Sequence, residues 1–170
     1  MKSWKVIVPV AALLALGLAD PPRVGALRWQ ANSIEGWPTS QEGEVTVYAA
    51  PVHLGQVFTL EIAAANNGPD DSAWGFQLLN AELPITLLVS NEGYYSTFPN
   101  HPSWQEFLHI RPFDSNRLSL QVMPDGHGTI RINDEIAQDN LTFLYALEGW
   151  GIATYHEPRL TGLHIALYHQ

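Results

Sequence analysis

From residue 44 onward, apolar and polar residues alternate in short runs separated by turn formers. The runs are 44–48 (EVTVY), 57–62 (VFTLEI), 74–79 (WGFQLL), 85–89 (ITLLV), 94–98 (YYSTF), 107–111 (FLHIR), 117–122 (RLSLQV), 129–132 (TIRI), 150–155 (WGIATY) and 162–168 (GLHIALY). A two-residue period of this kind marks half-buried β-strands. Between the runs lie NNGPDDS at 66–72, NEG at 91–93, PFDSN at 112–116, PDGHG at 124–128 and NDE at 133–135. Gly, Pro, Asn and Asp concentrate there because they tolerate the backbone angles that turns demand. A further strand is expected at 26–30 (ALRWQ), within a Pro- and Gly-rich stretch, 21–43, that reads as a linker. Beyond residue 20 only 138–147 (QDNLTFLYAL) suits a helix, and it reads equally as a loop. Short strands at this spacing predict an all-β domain over 44–170, an antiparallel β-sandwich of jelly-roll type. The pattern assigns Phe76, Leu118, Leu120, Ile130, Ile132, Ile152 and Ile165 to its core.

The first 20 residues follow a different rule. Lys2 and Lys5 precede 14 uncharged, mostly apolar residues at 6–19, and Asp20-Pro21-Pro22 ends the run. This is an export signal by pattern, a signal anchor or a signal peptide. A helix over residues 4–19 reaches about 24 Å, short of the roughly 30 Å hydrocarbon core. Trp4 and the two lysines suit a membrane interface, however, and a short span packs against other helices. The expectation is one hydrophobic helix preceding the sandwich, crossing the membrane once. The positive-inside rule then puts the bulk of the chain on the extracytoplasmic side, periplasmic or at the cell surface.

Composition narrows the chemistry. The chain has 170 residues, 8 Lys and Arg against 17 Asp and Glu, and a formal net charge of −9. That balance argues against nucleic acid, whose phosphates need clustered cations. The absence of cysteine excludes disulfides, thiolate metal sites and a cysteine nucleophile. No two of the seven histidines have the spacing of a zinc-binding helix, and no nucleophile elbow or phosphate-cradling glycine loop is present. Asn66, Asn67, Asp70, Asp71 and Ser72 offer oxygen ligands for Ca²⁺, but Asn-Gly-Pro-Asp is first of all a turn. No cofactor or metal is expected.

Seven pieces recur in a familiar order: Trp74-Gly75-Phe76, Glu92-Gly93-Tyr94-Tyr95, Trp104, Asn116-Arg117-Leu118-Ser119-Leu120, Ile132-Asn133-Asp134-Glu135, Gly149-Trp150-Gly151-Ile152 and Leu163-His164-Ile165. Together they span about 100 residues. The set resembles the concanavalin-A-like, or laminin-G-like, jelly-roll domains of bacterial exported proteins, and is similar in pattern to the 3-keto-disaccharide hydrolase type. That resemblance implies a β-sandwich with a lectin-like surface and, through its looser link, a glycoside hydrolase. The glucanase branch of this fold carries an E-x-D-x-x-E strand, which has no counterpart here. Glu61 stands alone in its strand, and Asp134-Glu135 falls in a turn.

With no carboxylate pair at glycosidase spacing, the chain reads as a non-enzyme. Its aromatics remain: Trp37, Tyr94, Tyr95, Phe98 and Trp104, with Tyr155, are candidates for a platform that stacks on sugars or docks a protein surface. Tyr94 and Tyr95 are adjacent in a strand, so they face opposite sides. The first functional expectation is a non-catalytic interaction domain tethered by its membrane helix. It would serve as an accessory or scaffolding subunit of a larger membrane complex, with other membrane-protein subunits as partners. The alternatives are a secreted or anchored carbohydrate-binding, lectin-like module with a glycan partner, and a 3-keto-disaccharide-type hydrolase.

Overall fold

The computed structural model describes residues 23–79, 84–98, 101–143, 147 and 149–170. The hydrophobic helix expected at 4–19 lies outside the described residues. Among those described, no helix is long and apolar enough to cross a membrane.

Thirteen strands follow in chain order: β1 (Ala26–Ala31), β2 (Thr39–Glu42), β3 (Val45–Ala49), β4 (Phe58–Asn66), β5 (Ala73–Leu79), β6 (Ile85–Ser90), β7 (Tyr94–Phe98), β8 (His101–Glu106), β9 (Ser115–Val122), β10 (His127–Ile132), β11 (Glu135–Thr142), β12 (Gly149–Tyr155) and β13 (Leu160–His169). They form two antiparallel sheets, one of six strands in the order β1-β13-β4-β9-β10-β11 and one of seven in the order β2-β3-β12-β5-β6-β7-β8. The all-β sandwich expected from the alternating pattern is present. All seven residues assigned to its core are fully buried, at 0% exposure. They join Phe58, Leu60, Trp74, Leu87 and Trp150 in one cluster between the sheets.

Three expectations need correction. The described part of the expected linker, 23–43, joins the sandwich: β1, the strand expected at 26–30, pairs with β13, and β2 pairs with β3. The four residues of β2 (TSQE) are all exposed and carry no apolar signal. Second, FLHIR is not a strand: Phe107 and Ile110 pack on the core, and the Ile110 N–H donates to the Phe107 carbonyl at 3.0 Å, closing a turn. The strand there is β8 just before it, whose Pro102 is tolerated because β8 is the sheet edge. Third, residues 138–142 belong to β11, an edge strand whose mostly exposed, bulged course hides its period.

The turn expected at 133–135 is present. Asn133 and Asp134 adopt φ of 50° and 74° in a two-residue turn between β10 and β11, with Ile132 opposite Glu135. The Asn133 side chain accepts from the Arg117 N–H at 2.9 Å and donates to the His109 carbonyl at 2.6 Å, tying the hairpin to its neighbours. Glycine in the seven-stranded sheet serves close approach: a Cβ on Gly151 would lie 2.4 Å from the Tyr48 carbonyl oxygen, and one on Gly75 1.9 Å from that of Leu87.

The seven-stranded sheet curls. Trp104 on β8 and Tyr155 on β12 lie four strand spacings apart in the sheet, about 19 Å if it were flat. Their ring centroids are 6.2 Å apart. Likewise Gln77 on β5 donates to the Glu42 carboxylate on β2, three strands away, at 2.9 Å. The face turned away from the core is therefore concave.

Candidate functional site

Alternation decides what each strand sends to that concave face. On β5 and β12, Trp74, Phe76, Leu78, Trp150 and Ile152 fill the core. Their neighbours Ala73 and Ala153 form a second, small apolar cluster with Leu88, against which Val45 and Tyr155 pack. Tyr155 stands opposite Ala73, and Ala73 opposite Ser90. On this face a cleft of about 400 Å³ opens, lined by Asp71, Ser90, Glu92, Tyr94, Trp104, Tyr155 and His156.

Of the six aromatics singled out in the sequence, the structure brings Tyr94, Trp104 and Tyr155 together. Tyr94 is 37% and Trp104 41% exposed. Phe98, at 48%, is exposed at the far end of β7 and does not line the cleft. Tyr95 turns inward as its adjacency to Tyr94 requires. It is buried, contacts the Phe107 ring edge-on at 5.6 Å, and donates from its hydroxyl to the Ala137 carbonyl. Trp37 is half-buried and packs against the core, tilted against Trp29 at a centroid distance of 5.9 Å and edge-on to Trp150 at 6.2 Å. Tyr95 and Trp37 are thus structural residues, removed from the set of surface rings.

Histidine 156 is the member that sequence reasoning missed. It follows β12 with φ of 51°, and Glu157 follows with 54°. Two consecutive left-handed residues without glycine are costly and persist only where the surroundings hold them. The left-handed turn brings the His156 ring back onto its own neighbour: it stacks on Tyr155 at 3.8 Å and 18°. Its Nδ1 lies 2.9 Å from an Asp71 carboxylate oxygen, and its Nε2 is 3.9 Å from Glu44. The Tyr155 hydroxyl donates to the other Glu44 oxygen at 3.1 Å. Partial burial raises the Tyr155 hydroxyl above its usual range, and the adjacent carboxylates of Glu44 and Asp71 reinforce the shift. One ring stack and two carboxylates therefore hold one wall of the cleft.

The opposite wall is unencumbered. Among the described residues, neither the Tyr94 hydroxyl, the Trp104 indole N–H nor the Glu92 carboxylate has a hydrogen bond or ion pair within the protein. A larger cleft, about 770 Å³, shares His156 and opens beside Asn32, Gln41, Tyr48 and Leu163. It presents a single ring, Tyr48.

Among the described residues, no group of three or more His, Asp or Glu is arranged to hold a metal ion. In the loop considered for Ca²⁺, most side chains are engaged within the protein: Asn67 donates to Thr161, and Asp71 faces His156. Asn66 accepts from the N–H groups of Gly68 and Arg159 and donates to Ser72, while Asn91 donates to the Pro69 carbonyl.

No family model and no curated protein sequence matches the chain. Its fold is similar to those of several solved structures. Carbohydrate-binding module CBM66 from Bacillus subtilis superposes with a TM-score of 0.51 at 11% identity, over 85% of this chain and 91% of that one. A Crh5 transglycosylase solved in complex with NAG gives 0.56 at 7% identity, over 88% of each chain. Trypanosoma rangeli sialidase gives 0.48 at 12% identity, over 73% of this chain, which spans about a quarter, 24%, of the sialidase. At such identities the likeness is one of fold. The class so defined is an all-β, antiparallel two-sheet sandwich.

Proposed function

We propose that this protein is a carbohydrate-binding, lectin-like module that holds its glycan in the cleft of Tyr94, Trp104 and Tyr155. The observation that carries the reading is the convergence of three rings, two from the neighbouring strands β7 and β8 and one from β12 on the far side of the curl, on a single open cleft. Ring faces stack on the C–H faces of pyranoses, and edge groups then fix orientation by hydrogen bonds. The Tyr94 hydroxyl and the Trp104 N–H supply donors, and Glu92 and Asp71 supply acceptors for sugar hydroxyls. The similarity of fold to CBM66 from Bacillus subtilis supports the same reading.

The expectation of an accessory subunit in a membrane complex gives way to this alternative, because neither the cleft nor the structural likenesses favour it. In the reading proposed here, the module works on the extracytoplasmic side of the membrane, delivered there by the export signal at its N-terminus. It binds without chemistry, since the Asp71 and Glu44 carboxylates are committed to His156 and Tyr155. A glycan array probed with the full-length chain in mild detergent tests the proposal. Selective retention of one glycan family, without its cleavage, is the expected result. An array with no specific signal overturns carbohydrate binding, and hydrolysis of a retained glycan overturns the non-catalytic reading.

A further inference from the structure

We propose that the cleft selects glycans carrying free amino groups, of the glucosamine type, over their N-acetylated and uronic-acid counterparts; this rests on the carbohydrate-binding reading above. The argument comes from the charge around the rings. Asp71 and Glu92 line the cleft, and Glu44 stands behind Tyr155 and His156. Among the described residues no lysine or arginine lines it. Among them His156 is the one lining residue able to carry positive charge, and its Nδ1 is already engaged by Asp71. Glu92 is exposed and has no hydrogen bond or ion pair among the described residues.

A carboxylate left open beside three ring faces favours an ammonium group for two reasons. The cation gains from the negative face of a Tyr or Trp ring. It also donates charge-assisted hydrogen bonds to the carboxylate, stronger than those a neutral hydroxyl or acetamide makes. A uronate brings a third negative charge to the same few ångströms and is repelled. The chain's net charge of −9 adds a field of the same sign, drawing cationic ligands in and turning anionic ones away. Acetylation of the amine removes the charge and adds bulk at the position nearest Glu92, so discrimination between the two forms is built into the wall itself.

Isothermal titration calorimetry on the full-length protein, with four probes at low salt, tests this. The probes are a glucosamine tetramer, an N-acetylglucosamine tetramer, a galacturonate tetramer and spermine, a cation with no pyranose ring. The glucosamine tetramer should bind roughly tenfold tighter than the acetylated one, as a charge-assisted contact predicts. The galacturonate tetramer should not bind. Glu92→Gln should close the gap between the first two, as should raising the salt to about 0.5 M, where the screening length falls to a few ångströms. Equal affinity for the two tetramers, or preference for galacturonate, overturns the selectivity and leaves carbohydrate binding standing. Spermine binding as tightly as the glucosamine tetramer overturns it as well, by showing that charge alone is read. Silence from all three oligosaccharides while the array retains another neutral glycan also overturns it. Silence from every glycan overturns both readings.

Discussion

The molecule carries two aromatic clusters, one of three tryptophans and one of a tryptophan and two tyrosines, in opposite settings. Trp29, Trp37 and Trp150 meet between the sheets, with edge-to-face contacts of 6.2 Å to Trp150, whose N–H donates to the Val52 carbonyl at 3.0 Å. Trp104, Tyr94 and Tyr155 meet on the outer face of the seven-stranded sheet, half in water, and the Trp104 N–H finds no partner among the described residues. In the first cluster the Trp150 N–H is matched inside the protein, as a buried polar group requires. In the second, rings and polar groups are held out at the surface, where a ligand can reach them. Aromatic side chains thus serve stability in one place and, in the other, the recognition proposed above, and the surroundings decide which.

Truncation should separate the two most sharply. Trp150→Ala opens a large cavity and strands the Val52 carbonyl, so it should cost about 3–5 kcal/mol. Chemical denaturation would register this as a large drop in the midpoint. Trp104→Ala should leave the midpoint within roughly 0.5 kcal/mol of the native value while weakening glycan binding by about tenfold or more. A reversal of these two results would mean that the clusters have been assigned the wrong roles.

The next effect is finer. Because the Tyr155 hydroxyl ionises above its usual range in the folded protein, the folded state holds that proton more tightly than the unfolded chain does. Its contribution is complete below about pH 10, the unfolded value, and is lost as the pH rises through the folded value. Tyr155→Phe should therefore flatten the fall in stability above pH 10. It should also remove one late-titrating phenol from the ultraviolet absorbance titration.

The smallest effect concerns the turn that aims His156. Glycine at Glu157, where φ is 54°, relieves a left-handed strain and should raise stability by roughly 0.5–1 kcal/mol. A loss of stability on Glu157→Gly would show that the side chain itself holds the turn.

These two regions were not equally legible in the sequence. The core was readable because its strands alternate cleanly: RLSLQV and TIRI put Leu118, Leu120, Ile130 and Ile132 on one face whatever the rest of the chain does. Tyr94 was separable from Tyr95 by the same rule. Of the four edge strands, β1 was expected at 26–30, but the other three were not readable, since β2 buries nothing, β8 contains Pro102, and β11 is broken by bulges. An edge strand pairs on one side only, so selection for apolar alternation is weak there. The wall of the site was hidden more deeply. His156 is one of seven histidines, and its partners Asp71 and Glu44 lie 85 and 112 positions away. Positive φ at a His-Glu pair has no sequence signal, because Asn-Gly is the usual choice there. The sheet's curl, which brings Trp104 to Tyr155, comes from the packing of all seven strands together.

The central claim is that the exposed cluster binds the ligand. Its most direct test is tryptophan fluorescence of the full-length protein during titration with the glycan retained on the array, repeated with Trp104→Ala. The account predicts a saturable change in the native protein and none in the variant, whose thermal melting stays intact. An unchanged saturation curve in Trp104→Ala would contradict it.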